Sequence, residues 1–216
     1  MSLLLDLIFP VTCVGCRHSG HYLCPDCAAR LTPKSLSPPN PGSVLEGRLS
    51  LFSYKNEIRQ LIQLLKYQYV SDAGHDIGRT MAAIIKENYP NLLKHWQSHG
   101  YVLAPIPLHP LRQNWRGFNQ SQIFCQEIST SLHLVCQPNI LIRSRYTSPQ
   151  AKQLQKSDRQ SHLLGAFSLS PRFTGHLPDN IILVDDVYTT GSTLESAALV
   201  LRHFGCGSII GVTLAG

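Results

Sequence analysis

Asp185 and Asp186 stand side by side after an apolar run at 181–184, and Thr189, Thr190, Gly191, Ser192 and Thr193 follow at once (NIILVDDVYTTGST, 180–193). A chain that leaves a strand for a helix here turns its free backbone N–H groups towards one spot, where an anion binds. Gly191 lets the backbone approach closely, and the four hydroxyls of the turn add donors for phosphate oxygens. The carboxylates repel such a phosphate, but they accept hydrogen bonds from a neighbouring diol or reach it through hydrated magnesium. Phosphate on one side and a diol on the other describe ribose 5-phosphate. Ordinary strand-end carboxylates are the plain alternative, and the hydroxyl-rich turn attached to them argues against it. Other phosphate motifs are missing: no G-x4-G-K-[ST] occurs, and GCGSIIG at 205–211 fails the dinucleotide pattern G-x-G-x-x-G.

Those residues need a frame. Ile58, Leu61, Ile62 and Leu65 fall at i, i+3, i+4 and i+7, the stripe of an amphipathic helix that starts at Lys55 and ends near Lys66. Lys66 at that end complements the helix dipole. Asp72 caps a second helix with Ile77, Met81, Ile84 and Ile85 on its apolar face. Strands are expected at 101–106, 139–142, 181–184 and 208–214, and helices at 118–132 and 194–204. Strands alternating with helices predict an α/β fold: a mostly parallel sheet with helices on both faces. Ligands in such sheets bind beyond the carboxyl ends of the strands. Three loops qualify there, at 107–120, 147–159 and 184–193.

The first two loops are basic. Arg112 and Arg116 flank Trp115 in PLHPLRQNWRGFNQ (107–120), which contains no acid. The span 143–159 carries Arg143, Arg145, Lys152, Lys156 and Arg159 against Asp158 alone, a net of four out of the chain's +6. Such a rim suits phosphates, and Trp115 suits stacking on a base, so these eight residues form a candidate surface for single-stranded DNA. A solvated basic face is the alternative. Phe118 is read as core, and His109, the one histidine in a candidate loop, as structural.

Cys13, Cys16, Cys24 and Cys27 are spaced C-x2-C-x7-C-x2-C. Each C-x2-C turn can aim two thiolates at one metal, and four thiolates close a tetrahedral zinc site of structural type. His18 and His21 lie between the pairs, so a histidine in place of one cysteine stays open. A redox pair is disfavoured, because it would sit at a strand-to-helix junction. Cys125, Cys136 and Cys206 are scattered and read as small hydrophobes. The proline-rich stretch 33–44 divides a module at 1–44 from a domain at 45–216.

A 43% apolar composition over 216 residues supports a packed core and excludes disorder. The positive charge favours anionic partners. The start, MSLLLDLIFP, lacks the basic residue and cleavage site of a signal peptide, and no other run approaches the ~20 apolar residues of a membrane span. A soluble, cytoplasmic protein is expected.

IILVDDVYTTGST resembles the phosphoribosyl pyrophosphate (PRPP) motif of type I phosphoribosyltransferases. With the cysteine pairs, LLKY (64–67), APIPLHPLRQNWRGFNQ (104–120), RSRYTSPQAKQL (143–154) and GAF (165–167), the chain resembles the ComF family of competence proteins over nearly its whole length. The resemblance implies a phosphoribosyltransferase-like fold and a role in natural transformation, where imported single-stranded DNA reaches the cytoplasm, with import or recombination-mediator proteins as partners. It implies that Asp185 and Asp186 meet the ribose hydroxyls and that Thr189, Thr190, Gly191, Ser192 and Thr193 hold the 5-phosphate. Pro107, His109 and Arg112 then face pyrophosphate, Arg116 joins the two acids as a catalytic candidate, magnesium accompanies PRPP, and 147–159 forms a lid. One departure is RQSHLLGAF (159–167), without the asparagine that often precedes the AF pair. Two functions follow. One is an accessory factor handling single-stranded DNA with a PRPP or ribose-phosphate pocket; the other is an active phosphoribosyltransferase acting on a base or other nitrogen nucleophile.

Overall fold

Ile182 and Val184 enter one hydrophobic core while Ile181 and Leu183 enter another. A strand apolar on both sides belongs at the centre of a sheet covered on both faces, and the computed structural model, which describes residues 11–67, 71–144 and 165–216, places it there. In chain order the elements are α1 (Pro25–Ala29), β1 (Gly47–Phe52), α2 (Asn56–Tyr67), α3 (Ser71–Asn88), α4 (Pro90–Ser98), β2 (Val102–Pro105), α5 (Pro110–Arg116), α6 (Gln120–Leu132), β3 (Val135–Cys136), β4 (Leu141–Arg143), β5 (Phe167–Leu169), β6 (Asn180–Val187), α7 (Ser192–His203) and β7 (Ser208–Ala215). The main sheet has the order β1-β7-β6-β2-β3, and every pairing in it is parallel. Leu183 of β6 lies between Ala104 of β2 and Gly211 of β7.

The chain leaves β2 outward towards β3 and leaves β6 in the opposite direction towards β7. The connections therefore diverge between β2 and β6, and a crevice opens at their carboxyl ends, the switch point where parallel sheets hold ligands. On one face of the sheet Leu61, Leu65, Ile77, Met81, Trp96 and Phe124 pack against Leu103, Ile182 and Val184. On the other, Leu194, Ala197, Ala198 and Leu201 of α7 pack with Ile140, Leu141 and Phe167 against Ala104, Ile181 and Leu183. The α3–α6 contact is close because α3 offers glycine there. A Cβ at Gly78 would lie 2.7 Å from Glu127 Cβ.

Several elements differ from the expectation. The strand expected at 139–142 is β4, and it pairs antiparallel with β5 outside the main sheet, Leu141 opposite Leu169 and Arg143 opposite Phe167. Only Leu141 of its three residues is buried, and a strand with one apolar face cannot sit inside a parallel sheet. β1 takes the open edge beside β7, where pairing rather than a strong alternating pattern fixes it. α4 and α5 each begin with a proline. Proline suits a helix start as well as a loop, which hid both. Asp72 lies within the first turn of α3 rather than before it.

The four cysteines of the N-terminal module converge, with all Sγ atoms within 4.8 Å of one another and Cys16 and Cys24 Sγ at 3.6 Å. A tetrahedral site with Zn–S bonds of about 2.3 Å has sulfur–sulfur edges of about 3.8 Å, so the cluster can hold a zinc ion. The cysteines suffice without His18 or His21. Burial raises Cys13, but the amides of Cys24, Cys16 and Gly15 outweigh it and bring its pKa down to about 6. Burial and the three other thiols push Cys27 up to about 12, against the Arg30 guanidinium, which donates to its Sγ at 2.8 Å. Four thiolates this close repel one another, and a dication relieves that repulsion. Cys13, Cys24 and Cys27 also belong to the main core together with Leu23, and the Tyr22 amide donates to Asp76 of α3 at 2.8 Å. The linker is laid down too, through a bridge between Ser37 and Arg48.

Because three of the thiols pack in the core, metal loss should lower the stability of the fold as well as loosen the module. Freshly reduced protein is expected to carry about one zinc per chain by elemental analysis. Cys24→Ser is expected to lose it and to unfold at lower urea concentration. Wild-type protein free of zinc would overturn this assignment.

Candidate functional site

β6 runs on through Asp185 and Asp186, which are only 8% and 5% exposed. Alternation along the strand sends the two carboxylates to opposite faces, so each meets different neighbours. Asp186 continues the side of Ile182 and Val184, covered by α2 and α6. There Lys66, in the last turn of α2, places Nζ 2.8 Å from Asp186 Oδ2. Gln120 Nε2 donates to the same oxygen at 3.3 Å, and Gln120 Oε1 accepts from Arg116 Nη1 at 2.5 Å. Asp185 Oδ1 accepts from Ser121 Oγ at 3.1 Å and from the Asp186 amide at 2.8 Å. Asn119 fixes this end of α6. Its Oδ1 caps the helix by accepting from the Ser121 amide at 3.1 Å, and its Nδ2 donates to the Ile106 carbonyl just past β2 at 3.0 Å.

The electrostatics follow from burial. Desolvation, with Asp186 next, raises the Asp185 pKa to about 7, opposed by the Asp186 amide, Lys66 and Ser121. Burial works against the Lys66 ammonium, yet the charge and hydrogen bond of Asp186, helped by Asp185, hold its pKa above the ordinary lysine value. Arg143 of β4 holds its guanidinium 5.2 Å from the Phe167 ring centroid. Burial and the charge of Arg112 hold Arg143 below the ordinary arginine range, against the pull of Asp185. Arg112, Arg143 and Asp185 therefore share one electrostatic neighbourhood.

Beside the acids, Gly191 precedes α7 in the left-handed conformation, φ 78°, and α7 has no side-chain cap. A Cβ at Gly191 would collide with the ring and hydroxyl of Tyr188. Tyr188 is held in turn by Asn40 Nδ2, which donates to its hydroxyl at 3.1 Å, and by Arg48, 4.3 Å above its ring. Thr189 and Thr190 are exposed, Ser192 and Thr193 half-buried, and Thr190 Oγ1 and Ser192 Oγ stand 2.8 Å apart. An uncapped helix start under hydroxyls can receive a phosphate group. Glu195 of α7 turns away and binds the linker, accepting from the Ser43 hydroxyl and, at 3.0 Å, from the Val44 amide.

The loop after β2 holds half-buried Pro107 and His109. His109 Nδ1 caps α5 by accepting from the Leu111 amide at 3.2 Å. Along α5, Trp115 is 64% exposed, while half-buried Arg116 turns inward to Gln120. Arg145, Lys152, Lys156, Arg159 and the loop 147–159 lie outside the described residues. Two partners of the acid pair, Gln120 and Ser121, and Asn119, which fixes Ser121, were not singled out from the sequence. Their signal was present as a run of polar residues opening an amphipathic helix, and it reads equally well as helix capping. Lys66 reads as a helix-end charge, and only its place in LLKY, a stretch the family resemblance shares, marks it for a further role; nothing in its local sequence points to Asp186.

Asp185 supplies a pH test. Its folded pKa of about 7 stands above the ordinary 3.8, so between those values the folded state binds the extra proton. The stability this group contributes is complete below its unfolded pKa and is lost as pH rises through 7. Asp185→Asn is expected to lose less stability than wild type between about pH 5 and about pH 8 in urea unfolding. Parallel pH profiles would mean that Asp185 stays ionised throughout.

Comparison with known proteins gives relatives along most of the chain. No family model matches. The chain is 37% identical over 108 residues to competence protein F of Haemophilus influenzae, a match spanning 50% of this chain and 47% of that protein. It is 27% identical to DNA utilization protein YhgH of Escherichia coli over 91% of this chain and 85% of that one. It is also 27% identical to competence protein ComFC of Bacillus subtilis over 88% of this chain and 70% of that one. Similar solved structures include a hypoxanthine phosphoribosyltransferase of Staphylococcus aureus (15% identity, TM-score 0.40, 64% of this chain and 62% of that one). Another is the hypoxanthine phosphoribosyl transferase of Trypanosoma cruzi (16% identity, TM-score 0.41, 64% of each chain). The chain is thus a homologue of proteins named competence protein F, ComFC and DNA utilization protein YhgH.

Proposed function

We propose that this protein is an accessory factor of DNA uptake and utilization that handles single-stranded DNA in the cytoplasm and binds PRPP or a related ribose phosphate. The observation that carries the pocket is the pairing, at the β2–β6 switch point, of two buried carboxylates with the uncapped start of α7. The diol of the ribose would donate to Asp185 and Asp186, and the 5-phosphate would lie against the turn of Thr189, Thr190, Gly191, Ser192 and Thr193. Pyrophosphate would fall towards Arg112 and Arg143. Magnesium bound to that pyrophosphate would neutralise it, with the acids meeting the ion through water. The names of the relatives, competence and DNA utilization, support the cellular half of the reading. Import or recombination-mediator proteins are the natural partners of such a factor. No helix among the described residues is long and apolar enough to cross a membrane.

The alternative is phosphoribosyl transfer from PRPP to a nitrogen nucleophile. It needs a positioned acceptor, and it is separated from binding alone by assaying pyrophosphate release against a panel of bases, with and without single-stranded DNA.

PRPP with magnesium is expected to raise the melting temperature, and Asp185→Asn combined with Asp186→Asn to abolish the rise while inorganic phosphate still binds. An unchanged PRPP shift in the double variant would place the ribose elsewhere. For DNA, single strands are expected to bind better than duplex, with affinity falling steeply with salt. Arg112→Ala should flatten the slope of log K against log salt by roughly 0.7, one phosphate contact. Trp115→Ala should cost on the order of 1–3 kcal/mol with the slope unchanged, since stacking releases no counterions. If both variants keep wild-type affinity and slope, the DNA surface is not on α5.

A further inference from the structure

The acid pair carries its own cation. Lys66 Nζ lies 2.8 Å from Asp186 Oδ2 and shares that oxygen with Gln120, while Asp185 Oδ1 is taken by Ser121 and by the Asp186 amide. One oxygen of each carboxylate, Asp185 Oδ2 and Asp186 Oδ1, accepts no hydrogen bond among the described residues. Neither is a sealed buried atom without a partner. Two adjacent buried carboxylates would otherwise present a doubly negative surface to an anionic ligand, and a divalent ion is one way to offset that repulsion. Here an ammonium already removes one charge from the pair through Asp186 Oδ2, and Asp185 Oδ2 and Asp186 Oδ1 stay open to the hydroxyls of a ligand.

We propose that Lys66 is the positioning and charge-balancing residue of this site, an internal replacement for a divalent cation, so that the ribose-phosphate half of the ligand binds without metal. This rests on the ribose-phosphate reading above. Lys66 comes from α2, and α2 has no part in the phosphate turn or in the loop after β2, so the charge balance is set by a separate element. Magnesium is then needed only by a pyrophosphate group, which brings its own.

The experiment uses ribose 5-phosphate, which lacks pyrophosphate, in calorimetric titrations of the full-length protein with EDTA and with millimolar magnesium. Wild type is expected to bind with the same affinity, within about twofold, in both. Lys66→Met is expected to bind about tenfold more weakly in EDTA, equivalent to about 1.4 kcal/mol, and to regain most of that loss when magnesium is added. Lys66→Arg should stay close to wild type, and inorganic phosphate, which does not touch the acid pair, should bind all three alike. Magnesium rescue is the readout that a mere packing role for Lys66 would not move. Wild-type binding that requires magnesium overturns the inference, and so does a Lys66→Met protein unaffected in EDTA. Because the first comparison needs no variant, it decides even if Lys66→Met fails to fold. A wild type that binds inorganic phosphate but ribose 5-phosphate no better, in either buffer, removes the ribose-phosphate reading itself and this inference with it.

Discussion

Two adjacent carboxylates buried at the end of a central strand dominate the design of this molecule. Removing a carboxylate from water is costly, and a second one beside it adds repulsion. The structure answers with separate partners for each. Strand alternation turns the two side chains apart, so Asp186 finds Lys66 and Gln120 while Asp185 finds Ser121 and a backbone amide. This requires α2 to end at the height of β6's last residues and α6 to begin there. The glycine face of α3 that lets α6 approach, and the hydrogen bond from Asn119 to Ile106, serve that placement. Much of one hydrophobic core is therefore arranged around holding two charges where a ligand can reach them.

The cysteine module depends on the same core in a different way. It is too small to bury an apolar centre of its own, and three of its thiols pack among the residues that support the sheet. Its docking to α3 is polar. Asp76 accepts from the Tyr22 amide and pairs with Arg79 at 2.6 Å, and Arg79 in turn reaches Glu127 of α6 at 3.8 Å. A path of direct contacts thus leads from the cysteine cluster to the helix that carries Gln120 and Ser121. Metal loss would loosen the module first and the start of α6 only through that chain of contacts, because Asn119 ties α6 to β2 independently.

What the sequence makes legible is local. The stripe Ile58, Leu61, Ile62 and Leu65, the run into Asp185, and the C-x2-C pairs each declare their structure within a dozen residues, and each forms as its spacing implies. Pairings between distant segments are another matter. Nothing near Lys66 names Asp186, 120 positions later; only the order β1-β7-β6-β2-β3 brings them together. Residues 141–143 look like a sheet strand because strand propensity says nothing about which sheet. Arg116 reads both as one of a basic group and, through the family resemblance, as a companion of the two acids, and its hydrogen bond to Gln120 links it to the acid network. The types of chemistry are visible in one dimension, and their partners are not.

The division of charge around the crevice also restricts what can fill it. Arg112 and Arg143 share the electrostatic neighbourhood of Asp185, the start of α7 offers amides and hydroxyls, and the acid pair is partly neutralised by Lys66. A simple polyanion is drawn to the arginines and the helix start but meets carboxylate oxygens at the centre. A neutral sugar satisfies the carboxylates and leaves the cationic groups without a counter-charge. A molecule with hydroxyl donors in the middle and phosphate at its ends meets all three surfaces at once. Single-stranded DNA has no free diol along its length, so its phosphates can take the outer arginines and leave the acids empty. On the proposed reading, the acids would take a diol and the arginines phosphates, and Arg112 is the residue that a ribose phosphate and a DNA strand would both use.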